Sequence, residues 1–472
     1  MKGSKSIKNG EREFVEREIT SSRMQDLSLA LASWMEKWFP DALVFALLGI
    51  VVTFLLGLMI GESPARLAME GGKGFWSLVP FTMQMVMVII GGYVVATAPG
   101  VNAIIEKLST LPKTPKSAVV FIAFFSMLTS LLSWGFSLIF SGLLVRAIAR
   151  RLKDLDYRAA GSAAYLGLGA IWALGLSSSA ALMMATQETI PPKLLAISGV
   201  IGLTQTLFLW QNLVVVVVLI ILSLFIAYFS APAPENARTA KSYGIPLEIQ
   251  SDEITFPSKP GEWLEHSPLL NFIIAGLLIF YLFHVFRSSP QGILAALDLN
   301  TYNLIFIVIG LLLHGSPKKF MRAVSRAVPA TGGVLIQFPF YAVIFGMIVG
   351  SGISEWLANL FTRISTHNTY PILVAIYSAL LGVFIPSGGS KWVIEAPYVL
   401  QAAQLHQIHL GWVVQIYNAA EALPNLINPF WMLPLLGILG VKARDLVGYS
   451  FLQLLWHVPV VFFLCWILSK TF

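Results

Sequence analysis

The stretch 385-IPSGGSKWVIEAPYV-399 interrupts one of the most apolar parts of the chain. It directly follows the apolar run 372-ILVAIYSALLGVF-384 and contains proline, glycine, serine, lysine and glutamate within a few positions. Proline and glycine break helices, and charged side chains are costly inside a bilayer. A second interruption, 133-SWGFS-137, lies inside the apolar residues 118–149. How the chain accommodates these two interruptions decides the fold.

The composition indicates the class of protein. Of 472 residues, 56% are hydrophobic and only 12% are charged, and the mean hydropathy is +0.76. This profile is typical of an all-α polytopic membrane protein. The net charge of +7 comes from short basic clusters between apolar runs, which favours topology-setting loops over nucleic-acid binding. The single cysteine, Cys465, excludes an intramolecular disulfide and a cysteine-based metal cluster.

Apolar runs predict the membrane spans, because a spanning helix needs about 20 apolar residues. The predicted spans lie near 41–60, 78–97, 160–176, 196–229, 267–286, 302–315, 330–349, 411–437 and 449–469. The run at 196–229 is longer than one crossing, so we expect it to be tilted, bent or extended past the membrane.

The chain is predicted to have two transmembrane halves. Residues 41–230 form the first half and residues 267–472 form the second, with the polar residues 231–266 as a linker. Residues 1–40 are expected to be cytoplasmic. Within them, 29-LALASWMEKWF-39 can form an amphipathic helix at the membrane surface.

Each interruption predicts a re-entrant helical hairpin, one over 118–149 and one over 372–400. The apolar arms are roughly 10–15 residues long, which is too short for a helix to cross the hydrocarbon core. Each hairpin would therefore enter, turn near mid-membrane and leave by the same face. Basic residues flank 118–149 at both ends, which places both ends in the cytoplasm. Non-helical backbone at that depth is tolerated only inside protein or beside a water-filled cavity.

A broken transmembrane helix follows each hairpin. The first, over 160–188, contains 175-GLSSSAALMMAT-186, and the second, over 411–437, contains 417-YNAAEALPNLINPF-430. The order span, hairpin, broken span and span thus occurs twice, and the basic cluster at 318–326 starts the second copy from the opposite side. This pattern predicts two inverted-topology repeats, whose paired interruptions are the best sequence pointer to a transporter binding site.

The hairpin tips supply the predicted substrate-binding residues. These are Ser133, Gly135 and Ser137 in the first half, and Ser387, Gly388, Gly389, Ser390 and Lys391 in the second. Glycine allows close backbone approach, serine adds a short donor or acceptor, and a helix N-terminus attracts a carboxylate. The alternative role of these small residues is tight helix packing.

Some charged residues near the breaks have more than one candidate role. Lys391 and Glu395 are spaced to pair along one helix, so Lys391 either neutralises Glu395 or attracts an anionic substrate. Glu421 is a proton-relay or cation-site candidate inside the membrane. The predicted coupling-ion or broken-helix site consists of Ser177, Ser178, Ser179, Asn418, Glu421 and Asn425.

Motifs for other chemistry are missing from the sequence. The seven histidines show no metal-ligand spacing, and the chain has neither a phosphate-binding Gly-Lys-Ser/Thr loop nor a nucleophile elbow. We therefore expect a protein that is not an enzyme and that has no bound metal or cofactor.

The segments PSGGSKW (386–392), SWGFSLIFSGLLVRAIARR (133–151) and NAAEALPNLINPFW (418–431) resemble the bacterial short-chain fatty acid transporter family. The resemblance covers nearly the whole chain. That family is grouped with the ion transporter superfamily, which includes sodium-coupled dicarboxylate symporters. The resemblance implies an elevator-type carrier, a homodimer formed through scaffold domains, and substrates such as butyrate or acetoacetate. Sodium-coupled relatives carry an asparagine at each hairpin tip; both tips here lack it, so Na⁺ and H⁺ both stay open as the coupling ion.

We therefore expect a cation-coupled secondary active transporter of short-chain fatty acids or similar monocarboxylates in the bacterial inner membrane. Its partners would be the carboxylate substrate and the lipid bilayer. A dicarboxylate or other organic-anion carrier is the alternative on the same fold, and a membrane enzyme or an anion channel is a rival from another class. Lys391 is the only lysine or arginine near either hairpin tip, which favours a substrate with one carboxylate.

Overall fold

The computed structural model describes Lys37 and residues 42–77, 79–187, 190–247, 259–289, 296–297, 299–384 and 388–472. Within these ranges the regular secondary structure is entirely helical, as expected for an all-α membrane protein, whose backbone polar groups must be satisfied within each segment. The amphipathic helix predicted over 29–39 lies outside the described residues, apart from Lys37.

The helices of the first half end before the linker. They are α1 (Ala42–Met59), α2 (Pro64–Ser77), α3 (Val79–Ala96), α4 (Pro99–Leu108), α5 (Pro115–Leu132), α6 (Trp134–Arg151), α7 (Tyr157–Leu166), α8 (Ser179–Ala185), α9 (Pro192–Ser198) and α10 (Trp210–Ser230). Between α7 and α8 the chain continues as a π-helix, Gly167–Ile171, and a 3-10 turn, Trp172–Leu174. Together, α7 through α8 form the first broken helix.

The second half repeats much of this order. Its helices, with one in the linker, are α11 (Pro260–His266), α12 (Leu269–Ser288), α13 (Leu299–His314), α14 (Pro317–Ala327), α15 (Gly332–Gly350), α16 (Ile353–Ile364), α17 (Tyr370–Phe384), α18 (Gly388–Leu405), α19 (Leu410–Asn425), α20 (Pro429–Leu439) and α21 (Ala443–Ser469). The second broken helix consists of α19 and α20.

Several helical stretches have the length and apolar character of membrane spans. Within the described ranges there are seven: Pro64–Ala96, Pro115–Leu132, Tyr157–Ala185, Trp210–Ser230, Leu269–Ser288, Pro317–Gly350 and Ala443–Ser469. This finding confirms the prediction of a multi-pass membrane protein.

The long apolar run at 196–229 is not one continuous helix. Helix α9 ends at Ser198, because Gly199 adopts a positive φ of 63° that a helix cannot continue. The chain then runs irregularly, with a short 3-10 turn at Leu203–Gln205, before α10 begins at Trp210. The spanning part is therefore the 21-residue helix α10, and the excess length of the run is irregular chain.

Both interruptions separate pairs of helices that pack against each other as helical hairpins. In the first hairpin, α5 and α6 each have 18 residues, and in the second, α17 has 15 and α18 has 18. The prediction of arms of 10–15 residues is therefore wrong for three of the four. A Thr114 capping box starts α5 before the apolar run, and α6 continues through the charged residues up to Arg151. An 18-residue helix is about 27 Å long, close to the thickness of the hydrocarbon core.

Helices of the two halves pack reciprocally. Helices α1 and α2 contact α15, while α13 and α14 contact α3. In turn, α3 contacts α6 of the first hairpin, and α15 contacts α18 of the second. Glycines allow close crossings: a methyl group on Gly346 would lie 2.3 Å from the Glu70 carbonyl oxygen, and one on Gly92 would lie 2.4 Å from the Phe136 nitrogen. Both crossings therefore bring backbones closer than a larger residue permits.

Residues 231–247 of the linker lie against helix ends from both halves. The Arg146 guanidinium on α6 donates hydrogen bonds to the carbonyl oxygen of Pro246 (2.6 Å) and to that of Ile438 on α20 (3.1 Å). Charge-assisted bonds of this kind are stronger than neutral ones. This part of the linker therefore ties the end of the first hairpin to the second broken helix.

Candidate functional site

A small cavity, partly open to its surroundings, lies where the hairpin tips and broken helices meet. Its lining residues are Met85, Trp134, Leu168, Trp172, Ser179, Phe338, Gly388, Gly389, Asn425 and Trp431. They come from α3 and α15, from both hairpins and from both broken helices. We call this space the central cavity. Of the residues predicted from the sequence, it brings together Ser179, Gly388, Gly389 and Asn425.

Most of the central cavity wall is aromatic or aliphatic, but a few polar groups face it. The Asn425 side chain is 1% exposed, and neither its oxygen nor its nitrogen has a hydrogen-bond partner among the described residues. Trp172 Nε1 is likewise unpartnered within the described ranges. Gly388 and Gly389 begin α18, where backbone N–H groups have no acceptor inside the helix. By chemistry, this lining suits a small anionic group beside an apolar tail that contacts the rings.

The predicted residues at the tip of the first hairpin lie next to the cavity-lining Trp134. Ser133, Gly135 and Ser137 are buried and are not among the described residues that line the central cavity. The Ser133 hydroxyl accepts a bond from the Phe136 N–H as the N-cap of α6, and Ser137 donates to the Ser126 carbonyl (2.7 Å). The structure therefore places these serines in local contacts that shape the tip.

Gly135 packs against the neighbouring helix α3. A methyl group there would lie 2.9 Å from the Val88 carbonyl oxygen. Trp134, between the predicted residues, is the side chain that reaches the central cavity, and its ring lies 5.3 Å from that of Trp431. This contact joins the first hairpin tip to the second broken helix.

The tip of the second hairpin is described from Gly388 onward. Ser387 and the side chain of Ser390 lie outside what the structure describes, so their contribution stays a prediction. A methyl group on Gly388 would lie 2.4 Å from Cη2 of Trp172. The start of α18 therefore fits against the tryptophan ring only because this residue is glycine.

Behind the central cavity, Lys391 forms ion pairs with two carboxylates. Its Nζ lies 3.2 Å from Glu395 Oε1 and contacts Glu421 Oε2, and all three side chains are fully buried. Lys391 also donates to the Ser378 carbonyl (2.6 Å), and the Ser378 hydroxyl donates to Glu395 Oε2 (2.6 Å). We call Lys391, Glu395 and Glu421 the charged cluster. Lys391 thus pairs with Glu395, one of the two roles that the sequence left open, and it has a second partner in Glu421. Lys391 is not among the described residues that line the central cavity.

Tyr417 joins the charged cluster to the central cavity. Its hydroxyl donates to the Gly388 carbonyl oxygen (2.5 Å), and Lys391 Nζ lies 4.6 Å from the centre of its ring. A cation over an aromatic face is stabilised electrostatically. Tyr417 therefore contacts both Gly388, at the cavity-lining start of α18, and Lys391 of the charged cluster.

The serines of the first broken helix make three different contacts. Ser177 donates to the Ser130 carbonyl of the first hairpin (2.5 Å), and Ser179 lines the central cavity. Ser178 caps α8 by accepting from the Ala181 N–H (3.1 Å), and it donates to Asn418 Oδ1 of the second broken helix (3.1 Å). The first broken helix is thus bonded, at its break, to the middle of α19 in the second broken helix.

Ser178→Ala is expected to lower the free energy of unfolding by about 1 kcal/mol, the usual cost of losing an N-cap. Unfolding of the purified protein in detergent measures the change. Ser325→Ala, at an exposed serine that bonds the Met321 carbonyl of its own helix, is the matched control and should leave stability unchanged. Equal stability of Ser178→Ala and the wild type would contradict a capping role for Ser178.

Sequence reasoning missed the aromatic wall, although a signal for it exists. Trp134 lies inside the SWGFS interruption, Trp172 comes five residues before Ser177 of the first broken helix, and Trp431 is the third residue of α20, after the second break. Each of these tryptophans lies in or near an interruption and lines the central cavity. Tryptophan next to a mid-membrane break is therefore a usable sign of a cavity wall in this protein.

Interrupted apolar helices around a cavity with an aromatic wall and a buried charged cluster define a polytopic membrane transport protein. The chain belongs to the short chain fatty acid transporter family, whose model matches residues 23–468. Two relatives are named "Putative short-chain fatty acid transporter". The one from Escherichia coli K12 is 34% identical over 436 residues, covering 91% of this chain and 96% of the relative. The one from Haemophilus influenzae is 32% identical over 445 residues, covering 92% and 97%.

The fold is similar to that of two solved transporters. The Alcanivorax borkumensis YdaH transporter has a TM-score of 0.53 at 15% identity, over 93% of this chain and 98% of that chain. Neisseria gonorrhoeae MtrF, from a class of antimetabolite efflux pumps, has a TM-score of 0.53 at 15% identity, over 92% and 97%. At this identity the likeness establishes the fold alone.

Proposed function

We propose that this protein is a secondary active carrier that couples movement of short-chain fatty acids and similar monocarboxylates to a cation. The central cavity carries this proposal. Its rings suit a short alkyl tail, while the Asn425 amide and the N-terminus of α18 suit one carboxylate. Its described lining contains no lysine or arginine, which favours one carboxylate over two. Family membership supports the substrate class.

We further propose that the two halves are inverted-topology repeats with re-entrant hairpins. Two observations support the repeats, whereas the re-entrant hairpins rest on the basic residues at both ends of residues 118–149, since arms of about 27 Å are close to the thickness of the hydrocarbon core. The order of an apolar helix, a shorter helix, a second apolar helix, a shorter helix and a hairpin holds from α1 to α6 and again from α13 to α18. The contacts of α1 with α15 and of α13 with α3 are also reciprocal, as a pseudo-two-fold axis requires.

An elevator-type movement would carry the bound anion across the membrane. The hairpins and broken helices would move as one unit along α3 and α15, which supply Met85 and Phe338 to the cavity wall. At Gly92 on that path, the backbones of α3 and α6 lie close together with no side chain of residue 92 between them. The homodimer and the relation to the ion transporter superfamily rest on the family resemblance. The basic flanks of the first hairpin support an inner-membrane orientation with a cytoplasmic N-terminus.

Counterflow in proteoliposomes tests the proposed function. Vesicles loaded with unlabelled butyrate should take up labelled butyrate and acetoacetate in a saturable way, and labelled succinate much more slowly. Protein-free vesicles measure the passive diffusion of the free acids, which is subtracted. Saturable exchange that is fastest with succinate would favour the dicarboxylate alternative, and no saturable exchange of any of the three acids would refute a carrier role.

Asn425→Ala is expected to raise the KM for butyrate exchange about 10- to 100-fold, because a hydrogen bond to a charged group contributes about 1.5–3 kcal/mol. Initial rates of counterflow over a range of butyrate concentrations give this value. Asn102→Ala, at an exposed asparagine on α4, is the matched control and should leave KM unchanged. If Asn425→Ala also leaves KM unchanged, the amide does not contact the substrate.

A further inference from the structure

The charged cluster contains one cationic and two acidic side chains, all without exposed surface. With all three ionised its net charge is −1, and with one carboxyl protonated it is neutral. A buried charge that lacks a compensating partner is lost by binding or releasing a proton. The composition of the cluster therefore favours binding of one proton, which would make it neutral.

Glu421 is the carboxyl with room for that proton. Glu395 accepts a hydrogen bond from the Ser378 hydroxyl at Oε2, and its Oε1 meets Lys391 in an ion pair without a hydrogen bond, so each of its oxygens contacts a group that favours a carboxylate. In Glu421 only Oε2 meets Lys391, and Oε1 has no hydrogen-bond partner among the described residues. We propose that Glu421 binds the coupling ion of the carrier and that this ion is a proton, an inference that rests on the proposed function above.

The surroundings of Glu421 contain few other groups that change charge. Lys391 and Glu395 are the charged side chains that act on it. Residues 167–174 and α8, which pack against α19, contain no titratable side chain. The nearby tyrosines, on α17, α18 and α19, are Tyr370, Tyr377, Tyr398 and Tyr417.

Helix α21 also packs against α19. Its titratable side chains are Arg444, Asp445, Tyr449, His457 and Cys465. His457 bonds Ser223 on α10 (3.0 Å), and Asp445 bonds Tyr243 in the linker (3.1 Å). Both groups thus have partners outside the cluster, and the charged side chains that act on Glu421 are Lys391 and Glu395.

The structure also links the proton to the substrate. Gly388 lines the central cavity, and Lys391 follows it on α18 after an axial rise of about 4.5 Å. A substrate carboxylate at the start of α18 adds a negative charge close to the cluster. Like charges repel strongly in a poorly solvated site, so the anion binds more tightly when Glu421 is protonated. By reciprocity, the proton then binds more tightly when the anion is present.

The pH dependence of butyrate binding tests the inference. Calorimetry on the full-length protein in detergent, at pH values where butyrate is fully ionised, should show Kd rising with pH, up to about tenfold per unit for one linked proton. In Glu421→Gln, a neutral mimic of the protonated carboxyl, Kd should be the same at every pH. The control Glu235→Gln, at an exposed glutamate in the linker, should keep the wild-type slope.

A second measurement uses only the wild type. Heats of binding in buffers of different ionisation enthalpy give the number of protons taken up with each butyrate, and this number should approach one at high pH. No proton uptake, an unchanged slope in Glu421→Gln, or a requirement for Na⁺ over choline would overturn the proton assignment. Failure of the wild type to bind or exchange butyrate would instead refute the proposed function.

Discussion

Lys391→Met is expected to lower the free energy of unfolding by about 3–5 kcal/mol, the usual cost of breaking a buried ion pair. Methionine keeps the apolar length of the side chain but removes the only positive charge of the cluster. Glu395 and Glu421 would then face each other, fully buried, with no cation between them. Chemical unfolding of the purified protein in detergent measures the loss of stability.

A fully neutral variant separates lost charge from lost packing. Lys391→Met combined with Glu395→Gln and Glu421→Gln should recover most of the stability, because no unpaired charge is left buried. Lys73→Met is the matched control: it breaks an exposed pair with Glu70, and such pairs contribute at most about 1 kcal/mol. If Lys391→Met is as stable as the wild type, the cluster does not depend on this pairing.

Gly388→Ala is expected to weaken butyrate binding about 10- to 100-fold. The added methyl group would collide with the Trp172 ring, and overpacking of this kind costs typically about 1–3 kcal/mol. It would also push the start of α18 out of line with Asn425, so the two parts of the proposed carboxylate site would separate. Equilibrium binding and counterflow both measure the effect.

The control for this variant is Gly437→Ala on α20. A methyl group there meets no atom within 4 Å, so the same substitution in a helix of the same half should leave transport unchanged. Wild-type affinity in Gly388→Ala would show that the substrate does not depend on the fit between α18 and Trp172.

Much of the architecture follows from the sequence because membrane helices leave strong local signals. The apolar runs predict most of the observed helices, and proline, glycine and serine mark both hairpin tips and both broken helices. Arm length was harder to predict, because polar caps such as Thr114 and basic ends such as Arg151 extend a helix beyond its apolar residues. Hydropathy alone does not detect these extensions.

The site itself was only partly predictable, because its contacts join residues distant in the chain. The i, i+4 spacing reveals the pairing of Lys391 with Glu395, but no local pattern reveals that Glu421 contacts the same lysine. Likewise, Ser133 and Ser178 have the same chemistry as a ligand-binding serine, yet both cap helices. Which hydroxyl faces a cavity depends on helix rotation, which the packing of both halves determines.

The placement of one lysine between two acids has a bioenergetic consequence. With the proposed proton, the loaded site carries the −1 of the substrate beside a neutral cluster, and the empty site returns with the −1 of the deprotonated cluster. A full cycle then moves no net charge, so the membrane voltage, about 2.3 kcal/mol per charge per 100 mV, neither helps nor opposes it. The pH difference alone sets the accumulation ratio, at about tenfold per unit. With this coupling, the acid moves toward the more alkaline side of the membrane, inward when the medium is the more acidic side and outward when the cell interior is.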